Sequence, residues 1–212
     1  MNLSPLELPG VNPARQKRSR EMSEALLEAG QRLLLRHSLA ELSVEQLCGS
    51  IGASVGAFYS RFQSKEAYFH ALQLLACRRA GAWLAGEGAA ERLAEAPLSE
   101  ICRVIAAGSV AWMQAYEGVV RAALQHAGTH PARWTPFKEL GQRTLLHWRP
   151  LLLRRLRRGS RRRQERAVGF AFQLLFGTLV NIVLNDPGPL SLADRELPDY
   201  LARAMAASLG QS

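Results

Sequence analysis

Apolar residues recur along this chain at three- and four-residue steps almost from end to end, with no convincing alternating stretch. That pattern predicts an all-α protein of about nine helices. A first helix is expected from about Ala14 to His37, with Ala25, Leu26, Ala29, Leu33 and His37 on one face and Leu34 beside it. A second begins at Leu42-Ser43-Val44-Glu45-Gln46-Leu47. There Ser43 can cap the Gln46 amide while the Gln46 side chain reaches back, and Leu42 staples to Leu47. This helix should end near Ser50-Ile51, where Gly52 supplies a left-handed residue. Ser54 then offers a new N-cap. Two short helices on a tight glycine turn form a helix-turn-helix, its angle held by Val44, Leu47, Ile51, Phe58 and Phe62. Ser64 caps a long helix through KEAYFHALQLLACRRAGAWLAG. Later breaks fall at Gly86-Glu87-Gly88, Pro97, Gly128, Pro131, Pro136, Gly159-Ser160 and Pro187-Gly188-Pro189. The expected organisation is a disordered, proline-bearing lead-in over 1–13, a three-helix domain over 14–68, and a larger helical domain over 69–212.

The short helix after Ser54 is built from poor helix material. It has Gly56 in its second helical position and presents Tyr59 and Arg61 near its end. A helix that enters a DNA major groove by its N-terminal end accounts for these choices. Gly56 would let backbone approach the duplex, and Ser54 with the free amides of the first turn can bond phosphate. Tyr59 brings a hydroxyl to phosphate, and Val55 and Ala57 can touch thymine methyls. Lys65 opens the next helix against its macrodipole, an objection that a phosphate would remove. The first helix carries Arg15, Lys17, Arg18 and Arg20 in its opening turns with the same unfavourable sign. Each feature also has a plainer reading: a frayed, solvated basic arm, a half-buried core Tyr59, a solvated Lys65.

Taken together, Ser43-Val44-Glu45-Gln46-Leu47-Cys48-Gly49-Ser50-Ile51-Gly52-Ala53-Ser54-Val55-Gly56-Ala57-Phe58-Tyr59-Ser60-Arg61-Phe62-Gln63-Ser64-Lys65-Glu66 resembles the helix-turn-helix of the TetR/AcrR family of bacterial transcriptional regulators. The match runs from Ala25 to Phe69. It implies phosphate contacts at Ser43, Ser54, Tyr59 and Lys65, and groove-facing positions at Val55, Gly56 and Ser60. Ser43 stands for the usual threonine and keeps its hydroxyl. Val55 stands where a lysine is common, so one charged contact is missing. Gly49 costs the second helix roughly 1 kcal/mol. These departures bear on base preference rather than fold.

The net charge of +9 suggests nucleic acid but lies mostly elsewhere. Residues 1–68 hold eight Lys/Arg against seven Asp/Glu, whereas residues 149–212 hold eleven against five. Nine arginines, Arg149, Arg154, Arg155, Arg157, Arg158, Arg161, Arg162, Arg163 and Arg166, gather at one turn. They read either as a solvated turn or as a second electrostatic contact. Cys48, Cys77 and Cys102 have no paired spacing and read as small buried hydrophobes of a reducing, cytoplasmic compartment. The N-terminus has no apolar run after a basic start, so it is not a secretory signal.

Beyond Phe69 no family signature appears. The uncharged stretch Ala167 to Leu184 borders on transmembrane length, but Gln173, Gly177, Asn181 and Asn185 form a narrow stripe better suited to a dimer bundle. By resemblance, this helix and the preceding one, about Thr135 to Arg157, look like two dimer helices. Their expected contacts are Leu145, Trp148, Leu152, Gln173, Gly177, Val180 and Asn181. Trp83, Trp112, Met113, Tyr116, Trp134, Phe137 and Phe172, with Trp148, are candidates to line an effector pocket, although most of them also suit a plain core. His126 and His130 are broken by Gly128 and lack a carboxylate or cysteine beside them, so no metal site or cofactor is expected. No phosphate loop or nucleophile motif suggests an enzyme. The first expectation is a dimeric, cytoplasmic repressor that binds a double-stranded DNA operator and is released by a small, mostly apolar effector, with no membrane partner. The alternatives are an activator or architectural DNA binder of the same fold without effector, or a helical dimerisation module.

Overall fold

The structure, a computed structural model, describes residues 10–13, 17–86, 90–128 and 131–210, with only the backbone of Ala90 and His126. Among these residues stand eight α-helices: α1 (Lys17–Leu33), α2 (Val44–Gly49), α3 (Val55–Arg61), α4 (Lys65–Ala85), α5 (Leu98–Ala127), α6 (Thr135–Arg155), α7 (Arg161–Asn185) and α8 (Leu197–Gly210). Single 3-10 turns cover Ala90–Leu93 and Pro131–Trp134. The count is one below expectation. Helix α5 runs on through a kink at Tyr116 (φ −120°, ψ 16°), where the backbone leaves helical geometry two residues before Gly118.

The expected first helix is too long at its C-terminal end. It stops at Leu33, and His37 lies exposed in the turn that follows. The buried face is Leu26, Leu27, Ala29 and Gly30, continued by Leu34. The lead-in reading also needs correction at its described end. Val11 is buried and bridges to Phe62. The Asn12 amide donates to the Arg61 carbonyl at 2.8 Å, and the Gln63 amide donates to the Gly10 carbonyl at 2.9 Å. Gly10 makes this approach with φ +82°, where a Cβ would stand 2.8 Å from the Ala67 Cβ. Residues 1–9 and Arg15 lie outside the described residues.

The chain divides into two compact units, Met1–Arg79 with Tyr116–Phe137, and Ala80–Ala115 with Lys138–Ser212. The break between Arg79 and Ala80 and the boundary expected at 68/69 both fall inside α4. In the first unit the rings of Phe58, Phe62 and Tyr68 pack with centroids 5.1–5.4 Å apart. Tyr68 Oη donates to the Leu26 carbonyl at 2.7 Å, joining α4 to α1. The later part of α5 belongs to this unit because Gly118 lies against backbone: a Cβ there would stand 2.2 Å from the Leu34 oxygen. Buried Gln73 donates to the Arg133 carbonyl at 2.6 Å and holds the Pro131–Trp134 turn.

In the second unit the Trp83 ring lies over Gly108, where a Cβ would come within 2.3 Å of it. Trp148 is fully buried with its ring 6.3 Å from that of Trp83. The Arg149–Glu165 pair at 3.6 Å and the approach of Gly141 to Phe176 set α6 antiparallel to α7. Helix α7 packs along α8. Asp186 closes α7 in the left-handed region at φ 40°, a place more often taken by glycine.

Candidate nucleic-acid interface

The turn between α2 and α3 is built as its residues require. Ser43 Oγ accepts from the Gln46 amide at 3.0 Å and Gln46 Oε1 accepts from the Ser43 amide at 2.9 Å, completing the capping box. Gly52 has φ +67°. Ser54 Oγ accepts from the Ala57 amide at 3.1 Å, and Ser64 Oγ accepts from the Ala67 amide at 3.0 Å. Both Ser43 and Ser54 thus spend an oxygen lone pair on their own helix and keep the O–H proton free to donate outward. Ser60 has the opposite polarity. Its O–H donates to the Ala57 carbonyl at 2.8 Å, which leaves its oxygen as an acceptor.

Gly56 is exposed, and a Cβ on it would meet nothing nearer than Ser54 Oγ at 3.9 Å. Its backbone is ordinary helix, so neither conformation nor packing inside the chain asks for glycine here. Tyr59 is 51% exposed, which rules out the core reading, and its ring meets Phe58 edge-on. Val55 is half-buried. Lys65 is held at the start of α4, its Nζ donating to the Ala40 carbonyl at 3.3 Å. Ser43, Ser54, Gly56, Tyr59, Ser60 and Lys65 are accordingly surface positions on consecutive elements of one unit. Lys17 and Arg18 are exposed on α1, and Lys17 lies 3.8 Å from Glu21.

Arg61 is a correction. The sequence placed it at the presented end of α3, but it is 2% exposed. Burial pulls its guanidinium pKa down, helped by the like charge of Arg20. The reason lies in its neighbours: its carbonyl is paired with Asn12, so its stretch of chain is covered by residues 10–13.

The aromatic candidates for a pocket are divided between the two units. Tyr116, Trp134 and Phe137 belong to the first unit, where the rings of Trp134 and Phe137 meet at 5.4 Å. Trp83, Trp112, Met113 and Phe172 belong to the second. The dimer candidates also divide. Trp148 and Leu152 are 0% exposed within one chain, so they have no surface left to offer a partner. Leu145 and Val180 are half-buried, and Gln173, Gly177 and Asn181 are exposed. Exposed apolar residues outside that expected set are Phe170 (56% exposed) and Leu184 (43%) on α7, and Leu146 on α6. Phe170 and Leu184 extend the Gln173-Gly177-Asn181 stripe by one step at each end, a signal the spacing already held. Among the described residues no group of three metal-ligating side chains occurs. Helix α7 is long and apolar enough to cross a membrane by length and composition.

A capped helix-turn-helix with an exposed, side-chain-free opening to its second helix, carried on an all-helical chain, is the architecture of a DNA-binding regulator. Residues 26–72 match the family model described as bacterial regulatory proteins, tetR family. The chain carries the TetR-family helix-turn-helix domain, as the motif implied. No curated protein matches. Among solved structures, a putative TetR-family transcriptional regulator from Mesorhizobium loti is similar with TM-score 0.69 and 19% identity, over 92% of this chain and 96% of that one. The TetR-family regulator PfmR from Thermus thermophilus aligns with TM-score 0.60 and 20% identity, over 87% and 96%. One from Streptomyces coelicolor aligns with TM-score 0.60 and 19% identity, over 91% and 84%. The all-helical fold of these regulators thus extends over most of the chain.

Proposed function

We propose that the chain is a dimeric repressor that binds a palindromic DNA operator in the cytoplasm and leaves it when a small, mostly apolar effector binds. The observation that carries the DNA reading is Gly56. A glycine that costs helix stability, with open space where its side chain would be, makes sense if something outside the chain comes close. In this reading Ser43, Ser54, Tyr59 and Lys65 hold phosphates, with Lys17, Arg18 and Arg15 adding charge from the first helix. Val55, Gly56 and Ser60 face base edges. Ser60, left as an acceptor, suits an adenine or cytosine amino group.

The exposed line of Phe170, Gly177 and Leu184, with half-buried Val180 beside it, supports pairing of two copies. The antiparallel register puts Leu146 level with Phe170, and exposed Tyr200 on α8 adds to the surface. In this reading the interface is centred on α7, and Trp148 and Leu152 lie behind it. A two-fold dimer would space its recognition helices about 34–36 Å apart, or a multiple of that. The aromatic residues of the second unit support the effector reading.

Selection of bound duplexes from a random pool tests the whole. The expected product is an inverted repeat, bound by two copies, with an affinity that falls steeply with salt. Recovery of no common sequence would overturn specific DNA recognition. A non-repeated site bound by one copy would overturn the dimer.

A further inference from the structure

Trp148 is fully buried, yet its indole N–H meets no acceptor among the described residues. A buried donor left unmet is costly, and phenylalanine would fill much of the same space without that cost. Beside it stands Trp83, half-buried, on α4. Gly108 on α5 gives Trp83 its place, and one turn further along α5 comes half-buried Trp112. A polar atom without a partner therefore sits deep in the second unit, on a ring whose centroid is 6.3 Å from that of half-buried Trp83. Among the described residues the buried polar and charged side chains, Ser23, Arg61 and Gln73, all belong to the first unit. Half-buried His147 meets the Trp148 ring edge-on at 5.1 Å, but among the described residues no charged side chain of the second unit is buried. An ionised ligand group would lose its hydration there without compensation, whereas a neutral oxygen would not.

We propose that the second unit binds a small, mostly apolar molecule through a neutral hydrogen-bond acceptor, a carbonyl or ether oxygen, received by Trp148 Nε1. This rests on the effector reading above and gives the effector a chemical class. Trp83 supplies the aromatic face beside the acceptor, and Gly108 keeps the space that seats Trp83.

The test uses the full chain with ¹⁵N-labelled indoles and three probes of similar size: acetophenone, ethylbenzene and benzoate. The chain has four tryptophans, and Trp83→Phe, Trp112→Phe, Trp134→Phe and Trp148→Phe assign their N–H resonances, by elimination if one variant fails to fold. Acetophenone is expected to bind saturably and move the Trp148 resonance downfield. Ethylbenzene, which lacks the acceptor, should bind about tenfold more weakly and leave that resonance in place. Benzoate should bind more weakly than acetophenone. A folded Trp148→Phe protein should hold ketone and hydrocarbon alike. Saturable but equal binding of ketone and hydrocarbon by the unaltered chain would overturn the anchor and leave the effector reading standing. Tighter binding of benzoate would overturn the neutral class. Binding of none of the three would sink both.

Discussion

Tyr68 Oη reaches the carbonyl of Leu26 by passing over Gly30, so closely that a Cβ on Gly30 would lie 1.9 Å from that oxygen. One hydrogen bond and one missing side chain thus lock α4 onto α1 and fix the platform that carries α2 and α3. Gly30→Ala should cost about 2 kcal/mol or more, because the ring cannot retreat from a packed core. Tyr68→Phe, which removes only the hydroxyl, should cost about 1 kcal/mol. Urea unfolding of the two variants checks both the values and their order.

Gly56→Ala should do the reverse to the fold. With nothing within 3.9 Å of the new methyl, it should stabilise the chain by up to about 1 kcal/mol through helix propensity. DNA affinity should fall at the same time if the backbone there meets a duplex. Paired measurements of thermal stability and operator binding would settle the point. A stabilised variant that binds DNA as well as the parent would remove the close-approach role.

Lys65→Ala should weaken binding to any duplex about equally and lower the magnitude of the salt slope by about one. Its bond to the Ala40 carbonyl is at the surface, so the fold should lose little. Tyr59→Phe should weaken binding without altering the slope, since it removes a neutral contact. Titrations of operator and unrelated duplex over a range of salt separate the two effects.

The three cysteines, all buried, should resist a chromogenic disulfide reagent at neutral pH until the chain unfolds. Burial pushes the Cys102 thiol from 9.0 up to about 11. A raised pKa in the folded state favours the protonated form. The resulting stabilisation is complete below the unfolded value and is lost as pH rises through the folded one. Cys102→Ala should therefore show a different pH dependence from the parent between pH 9.0 and about 11, whatever the substitution costs at neutral pH. In that window the unfolded parent gives up a proton that the folded parent keeps, so the parent loses stability with rising pH and the variant loses less. Urea unfolding at several pH values across the window checks the difference in slope.

The sequence alone determined the local features: the Ser43, Ser54 and Ser64 caps, the left-handed turn at Gly52 and the helical period throughout. Each depends on residues within four positions of one another, so the order of residues suffices to specify it. Gly56 was also legible, because a glycine in a short helix stands out against propensity alone. Tertiary structure decided what depends on distant partners. Arg61 looked like a presented side chain until Asn12 and its neighbours covered it. Gly118 looked like an ordinary helix residue until the Leu34 carbonyl proved to occupy its missing side chain's place. Trp148 and Leu152 carry the same apolar signature as an interface and lie inside one chain instead. Periodicity tells which face of a helix is apolar but not which neighbour will cover it, and that choice rests on close packing between segments far apart in the chain.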